Sequence, residues 1–169
     1  MAIRNMVYEG DPMLRKTSRE VTVFDEKLGT LLDDMAETMA QHMGVGLAGV
    51  QVGILRRVVV IDIGEGRIEL INPTIIRSSG SQEGSEGCLS FPGQYGIVER
   101  PDSVTVHAQD RHGNWFDITG TGLLARAFCH EIDHLDGIVF KDHASRMLDP
   151  DEQPPKNKRR VKAHVKVKK

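Results

Sequence analysis

Cysteine is scarce in this chain: Cys88 and Cys129 are the only two among 169 residues. Two cysteines cannot make the disulfide framework of a small secreted domain, and a reducing compartment would keep both as thiols. Long apolar runs are also missing, which argues against a membrane-spanning helix, and the first residues lack the basic and then apolar layout of a secretory signal. We therefore expect a cytoplasmic protein without membrane partners, whose length fits one domain with its own core.

Basic and acidic residues are distributed unevenly along the chain. The net charge is only −2, but residues 156–169 contain eight Lys and Arg and no acid, which leaves 14 basic and 24 acidic residues, a net charge of −10, in residues 1–155. Prolines and charge clusters begin at Asp149. The sequence therefore predicts a folded domain over residues 1–148 and a basic, disordered tail over residues 149–169.

Hydrophobic periodicity divides the folded part into helices and strands. Apolar residues at helical spacing predict a helix over residues 25–42, which Asp25 would cap and Gly44 would end. A second helix is predicted from Thr121 to about Asp136, followed by the stop signal Gly137. β-Branched runs between them predict strands over residues 58–63, 68–76, 103–108 and 115–118. This order of elements indicates an α+β domain with mainly antiparallel strands.

The second predicted helix contains the segment His130-Glu-Ile-Asp-His134. Because four residues advance about 40° around a helix axis, the two imidazoles share a face and can converge on one metal ion. Glu131 would lie next to that ion, where a carboxylate can move a proton to or from water. The apolar residues of the helix fall on a different face: Leu124, Phe128, Ile132 and Leu135. As an alternative, both histidines are polar surface residues.

A catalytic tetrahedral metal site needs a third protein ligand and keeps one position open. Cys88 lies in Glu86-Gly-Cys-Leu-Ser90, which we interpret as a loop between strands, and a bound metal would keep its sulfur as a thiolate. Cys88 could instead be a small core residue. Cys129 lies about 100° from His130 on the helix, so we expect it to pack in the core or to line the pocket.

The glycine-rich segment Gly44-Val-Gly-Leu-Ala-Gly49 fits the spacing of a dinucleotide-binding loop. That loop requires a strand before it and a helix after it. Here a predicted helix precedes the glycines and a β-branched run follows them, so we reject the dinucleotide interpretation. We expect the glycines to let the backbone line a cleft, with Gln51 as a side-chain donor.

Three segments together resemble the peptide deformylase family, which carries three short motifs in this order. They are Gly44-Val-Gly-Leu-Ala-Gly-Val-Gln51, Glu86-Gly-Cys-Leu-Ser90, and His130-Glu-Ile-Asp-His134 with the following Leu-Asp-Gly137. The resemblance spans residues 1–148, the expected catalytic domain. One departure is Gly49, where the family usually has alanine, and we expect the missing methyl group to loosen the loop beside the cleft.

The resemblance implies a metal-dependent hydrolase of the bacterial type that removes the N-formyl group from the N-terminal methionine of newly synthesised proteins and releases formate. It implies a fold of mainly antiparallel strands around a central helix that carries His-Glu-x-x-His. Its implied metal ligands are Cys88, His130 and His134, and its implied native metal is Fe²⁺. The ligand set alone also suits Zn²⁺, Ni²⁺ or Co²⁺.

The same resemblance implies roles for residues around the metal. Glu131 would be the general base and then the acid that protonates the leaving amine. Gln51 and the backbone N–H of Leu89 would stabilise the oxyanion. The backbone around three further residues would hold the peptide in an extended pose: Val45, Gly46 and Gly87.

Two other functions fit parts of the sequence. A zinc peptidase shares the His-Glu-x-x-His segment, but its third ligand is usually a downstream His or Glu, and the upstream Cys88 segment argues against it. The basic tail fits weak, salt-sensitive contact with RNA or the ribosome, or simply a solvated tail. Arg100 could pair with Glu86 to order the loop that carries Cys88, or it could be an exposed charge, and we expect Trp115 in the core.

Overall fold

The structure is a computed structural model and describes residues 2–152 and 166–168, the last three as backbone only. Helix α1 spans Glu26–Gln41, as predicted, and the carboxylate of Asp25 accepts a hydrogen bond from the N–H of Leu28 at 3.0 Å. Gly44 lies at the helix exit, where its N–H donates to the C=O of Met39 at 3.0 Å, and Met43 before it takes the left-handed conformation (φ 56°).

In the described part of the chain, nine strands form two sheets. The six-stranded sheet has the order β1-β2-β3-β6-β7-β9 and the three-stranded sheet the order β4-β5-β8, and all their pairs are antiparallel. The strands are β1 (Gly46–Ala48), β2 (Val58–Ile61), β3 (Ile68–Ser79), β4 (Gln82–Cys88), β5 (Phe91–Arg100), β6 (Ser103–Gln109), β7 (Trp115–Thr121), β8 (Arg146–Met147) and β9 (Lys166–Lys168). The predicted α+β fold is confirmed.

Strand β3 continues through Asn72-Pro73, where the sequence indicated an interruption. Its pairing with β6 shifts register between Ile71 and Thr74, and Asn72 has φ 51°. The side chain of Asn72 binds both backbone groups of Val21, accepting from its N–H at 2.8 Å and donating to its C=O at 2.9 Å. The expected interruption is therefore a bulge, because the side chain satisfies the neighbouring backbone there.

Helix α2 spans Leu123–Leu135, two residues later at its start than predicted. Gly137 follows it with φ 72°, in agreement with the predicted stop. The helix packs its apolar face on the six-stranded sheet through a shared core of buried side chains that includes Val59, Val106, Leu124, Phe128 and Leu135. Almost every residue of α2 is buried, so the polar groups within it need partners inside the protein.

The three-stranded sheet is the main element that the sequence analysis missed. Strands β4 and β5 form a hairpin in which Cys88 is the last residue of β4, so the interpretation of its segment as a loop is wrong. Strand β4 contains two Glu-Gly pairs and no β-branched residue, so it lacks the usual sequence signal for a strand.

The predicted tail lies mostly outside the described residues. Within the described part, the N–H of Glu152 donates to the C=O of Asp149, and Lys166–Lys168 pairs antiparallel with β7. The boundary at residue 148 and the disorder of residues 149–169 stay predictions. Among the residues that the structure describes, none of the helices is long and apolar enough to cross a membrane.

Candidate active site

A cleft of about 520 Å³ lies between the end of α1, strand β1, the β4–β5 hairpin and helix α2. Its walls include nearly all residues that the sequence analysis selected: Val45, Gly46, Gln51, Gly87, Cys88, Leu89, His130 and Glu131. His134 lies directly behind this wall and is fully buried.

The three predicted metal ligands lie together at the base of the cleft. One potential ligand atom each from Cys88, His130 and His134 falls within 4.8 Å of the others. Sγ of Cys88 is 3.4 Å from Nε2 of His134. Sulfur and nitrogen ligands on one tetrahedral ion are separated by about 3.6 Å, given metal–ligand bonds of about 2.3 and 2.1 Å. The donor set and its spacing therefore fit a transition-metal ion.

His130 is oriented by a carboxylate on the hairpin. Its Nδ1 lies 2.7 Å from Oε2 of Glu86, which leaves Nε2 to face the ligand cluster. A carboxylate in this position fixes the tautomer of a metal-binding histidine and raises its basicity. Burial lowers the pKa of His134, which favours the neutral imidazole that a metal requires.

Glu86 is the centre of a buried network of charges. Arg100 donates to its carboxylate from Nε at 3.1 Å and from Nη2 at 2.7 Å, and Arg126 donates from Nη1 at 2.9 Å. Burial alone would raise the pKa of Glu86, but hydrogen bonds from His130 and Arg100 hold it well below its usual value. Of the two interpretations of Arg100, pairing with Glu86 is the one found.

Glu131 points into the cleft beside the ligand cluster. Burial raises the pKa of its carboxyl group to about 7. Among the described residues, Oε1 of Glu131 has no hydrogen-bond partner. A buried carboxylate with an unpartnered oxygen and a pKa near neutrality is suited to take up and release protons.

Gly46 makes room for Glu131. A Cβ atom at Gly46 would lie 2.5 Å from Oε2 of Glu131, so any larger residue would displace the carboxylate. The glycine at this position is therefore required by the close approach of the Glu131 side chain.

Gln51 is fixed next to Cys88. Its Oε1 accepts a hydrogen bond from the N–H of Ala48 at 2.9 Å, and its Nε2 donates to Oγ of Ser90 at 3.1 Å and points at Sγ of Cys88 at 3.4 Å. Both ends of the amide are thus assigned by their partners, and the NH₂ group faces the site as a donor.

Two strand edges flank the cleft. β1 is the terminal strand of the six-stranded sheet and β4 is the terminal strand of the three-stranded sheet, so each has one edge without a partner strand among the described residues. Gly46 lies in β1 and Gly87 lies in β4, and a Cβ atom at Gly87 would lie 2.7 Å from the ring of Tyr95. Backbone groups can therefore line both sides of the cleft.

Two expectations turn out differently, and one is decided between its alternatives. Gly49 is buried away from the cleft, where a Cβ atom would lie 2.9 Å from the carbonyl oxygen of Ile54, so the loop around it is tightly packed. Trp115 is 52% exposed and stacks on His107, so its expected place in the core is wrong. Of the two expectations for Cys129, packing in the core is the one found.

Arg126 and Asp133 also belong to the network around the site, although neither was expected there from the sequence. Arg126 donates to Glu86 and to the C=O of Val98 at 3.1 Å, and Asp133 accepts from Nη1 of Arg100 at 2.9 Å. A signal for Arg126 was present, because a lone charge inside the apolar run Leu123–Phe128 of a helix needs a buried partner.

The chain is similar to known proteins along most of its length. The family model described as polypeptide deformylase matches residues 3–149. The peptide deformylase of Acetivibrio thermocellus is 55% identical over 164 residues, which is 96% of each chain. That of Alkaliphilus metalliredigens is 60% identical over 142 residues, which is 84% of this chain and 97% of the other.

Solved structures agree with the sequence matches. The crystal structure of peptide deformylase from Thermotoga maritima has a TM-score of 0.84 at 39% identity and covers 86% of this chain and 100% of that chain. The enzyme from Legionella pneumophila has a TM-score of 0.83 at 49% identity, covering 85% of this chain and 87% of the other.

Proposed function

The chain belongs to the polypeptide deformylase family, and we propose that Cys88, His130 and His134 hold the metal ion with which it acts. Enzymes of this family are hydrolases that remove the N-formyl group from the N-terminal methionine of newly synthesised proteins. Formylated nascent peptides are therefore the substrates of this protein. The observation that carries the proposal is the convergence of one cysteine sulfur and two imidazoles, from separate elements, at the base of the cleft.

We assign ferrous iron as the native metal, with Zn²⁺, Ni²⁺ or Co²⁺ as possible replacements, because one thiolate and two imidazoles suit all four ions. The bound ion would supply a polarising positive charge and a water of lowered pKa at neutral pH. An iron–thiolate site is also sensitive to oxygen, since Cys88 can be oxidised.

Glu131 moves the proton in this proposal. Its carboxylate takes a proton from the attacking water and then delivers it to the leaving amine. The pKa of Glu131, raised to about 7 by burial, is suited to both steps because the group can exist in either form near neutral pH. Its unpartnered Oε1 is available to the substrate.

Gln51 and Leu89 stabilise the oxyanion in this proposal. Negative charge develops on the formyl oxygen as water attacks, and fixed donors lower its energy most when they do not have to reorient. The NH₂ group of Gln51 is held in place by the bonds of the amide to Ala48 and Ser90. The backbone N–H of Leu89 follows Cys88 directly in the turn between β4 and β5.

We propose that the peptide lies extended between the free edges of β1 and β4. Val45 and Gly46 would contribute backbone groups from one edge and Gly87 from the other. Strand addition gives affinity through main-chain hydrogen bonds and makes few demands on side chains. Such binding fits an enzyme whose substrates share only a formylated methionine.

We propose that this protein acts in the cytoplasm, close to the ribosome, because nascent chains emerge there. The eight Lys and Arg of residues 156–169 would add a weak and salt-sensitive contact with ribosomal RNA. Co-sedimentation with ribosomes at low salt measures this contact. Deletion of residues 156–169 should reduce it, and equal co-sedimentation of the full-length and shortened proteins would refute the proposal for the tail.

Formate release from a short formyl-Met peptide tests the proposal for the site. The wild-type protein and Glu131→Ala would be purified anaerobically with Fe²⁺, and the metal content of both would be measured. We expect the variant to retain its metal and to lose nearly all activity. An unformylated peptide should remain uncleaved. A metal-loaded Glu131→Ala that retains wild-type activity would refute the role of Glu131.

A further inference from the structure

The metal ligands belong to two different hydrophobic clusters. Helix α2, with His130 and His134, contributes its apolar side chains to the cluster on the six-stranded sheet. The β4–β5 hairpin contributes Phe91 and Val98 to another cluster, against which Cys88 packs. Among the described residues, no side chain of α2 belongs to that second cluster. The apolar link between hairpin and helix is indirect and runs through Phe140, whose ring centroid lies 5.5 Å from that of Phe91 and 6.1 Å from that of His130.

The contact between hairpin and helix is instead polar and buried. From the hairpin it contains Glu86, Arg100 and the carbonyl of Val98, and from the helix Arg126, His130 and Asp133. Three of these contacts join Arg126 or His130 of the helix directly to Glu86 or to the carbonyl of Val98 in the hairpin. The contact of Asp133 with Arg100 is different, because it extends the network to the last turn of the helix.

Arg100 joins these two acids with one rigid group. Its Nε and Nη2 donate to Glu86 at 3.1 and 2.7 Å, and its Nη1 donates to Oδ2 of Asp133 at 2.9 Å. The guanidinium is planar, so a fixed position of Asp133 also fixes the direction from which Arg100 meets Glu86. The side chain of Arg100 is 5% exposed and cannot find replacement partners in water.

We propose that Asp133 is a positioning residue for the metal site: by fixing Arg100 against α2, it holds Cys88 at the distance at which it meets both histidines. This inference rests on the proposed ligand set. Asp133 also accepts from Nε2 of His143 at 3.1 Å, so its carboxylate is oriented from two sides. Asp133 directly precedes the ligand His134 in the chain, but it is not among the residues that line the cleft, and its side chain reaches the hairpin through Arg100.

The same helix end offers a matched control. Asp136 binds Nη1 of Arg57 at 2.9 Å, the same length as the contact of Asp133 with Arg100. In each pair an aspartate near the end of α2 binds an arginine. Arg100 is the last residue of β5, and Arg57 directly precedes β2. Arg57 leads to β2 and not to the hairpin, so the loss of Asp136 should leave the metal site unchanged.

The experiment compares wild type, Asp133→Asn, Asp133→Glu and Asp136→Asn, each loaded with Ni²⁺ to avoid oxidation. The rate of metal release to an excess of chelator is measured, together with hydrogen exchange of residues 82–100 in the metal-free proteins. Loss of an outer partner of a metal ligand typically costs 10- to 100-fold in affinity. We expect about tenfold faster release from Asp133→Asn, faster exchange in its hairpin, and partial rescue by Asp133→Glu.

Asp136→Asn should release metal at nearly the wild-type rate, and its melting temperature should fall less than that of Asp133→Asn, because the side chains of Arg57 and Asp136 are 21% and 49% exposed. Unchanged release and exchange in Asp133→Asn would overturn the proposal, and so would equal acceleration in both variants, which would mean general destabilisation. A wild-type protein that binds no metal would refute the proposed ligand set instead. Hydrogen exchange in the hairpin would still decide the role of Asp133.

Discussion

Sγ of Cys88 and Nε2 of His134 lie 3.4 Å apart although 46 positions separate the two residues along the chain. Cys88 ends a strand of the small sheet, and His134 lies in the last turn of the helix that packs on the large sheet. The ligand set therefore exists only after both sheets have formed around α2. Metal binding should accordingly stabilise the folded chain and not the unfolded one.

The pH dependence of activity should follow Glu131. A general base must be ionised, and burial raises the pKa of Glu131 from 4.5 to about 7. A bound cation lowers that value, so we expect kcat/KM to fall as the pH decreases through an apparent pKa between 4.5 and 7. Initial rates between pH 4.5 and 9, with metal content checked at each pH, measure it. A rate that stays constant down to pH 4.5 would contradict this assignment.

Gln51→Glu should remove the side-chain donor and keep the shape of the residue. One carboxylate oxygen can still accept from Ala48, but the other replaces the NH₂ group. Loss of one oxyanion donor costs about 100- to 1,000-fold in kcat. Steady-state kinetics on metal-loaded protein are the measurement. A change in KM alone would instead indicate a role in binding the peptide.

Gly46→Ala should reduce activity by displacing Glu131. The added Cβ would lie 2.5 Å from Oε2 of Glu131, whereas a Cβ at Gly29 in helix α1 would lie 3.4 Å from Arg111, an ordinary contact. Gly29→Ala is therefore the control, and it should retain activity and gain about 0.5–1 kcal/mol of stability. Similar activity of the two variants would show that the backbone at Gly46 shifts to admit the methyl group.

Oxygen should inactivate the Fe²⁺-loaded protein faster than the Ni²⁺-loaded protein. Iron can exchange electrons with oxygen next to the thiolate of Cys88, which leads to oxidation of the ligand. Half-lives of activity in air, with mass spectrometry of the peptide that contains Cys88, measure the effect. Equal half-lives for both metals would count against this expectation.

Gly137→Ala should destabilise the protein more than Gly113→Ala. Both glycines have positive φ, at 72° and 87°, so either substitution adds strain of about 1 kcal/mol. A Cβ at Gly137 would in addition lie 2.5 Å from the carbonyl oxygen of Arg15, whereas one at Gly113 meets only the ring of Phe24 at 3.4 Å. Urea unfolding of both variants makes the comparison, and equal losses would show that Arg15 moves aside.

The helices and the site segments could be predicted because their signals are local. The cap at Asp25 and the stop at Gly137 act within one helical turn, and the spacing of His130 and His134 is a property of any α-helix. The chemistry of the site was predictable because three short segments, which contain Gln51, Cys88 and His130 to His134, follow one another in the order that is specific to one protein family. These parts required no knowledge of the tertiary structure.

The β4–β5 hairpin and its ion pairs could not be predicted because their causes are non-local. Strand β4 has no β-branched residue and is held by its pairing with β5 and by Glu86, which meets Arg100, Arg126 and His130 only in the folded protein. The exposure of Trp115 has the same origin, since which face of β7 is covered depends on where α2 packs. Single-residue preferences do not contain this information.

The two free strand edges beside the cleft also favour the binding of an unfolded chain segment over that of a folded protein. An unpaired edge attracts other strands and can lead to aggregation, but β1 has only three residues and faces the cleft across from β4. A folded protein cannot place its own sheet into such a recess, whereas a single unfolded chain end can. The cleft would therefore accept the N-terminus of a chain that has not yet folded. Formyl groups would become inaccessible to the enzyme once the N-terminus is buried in a folded protein.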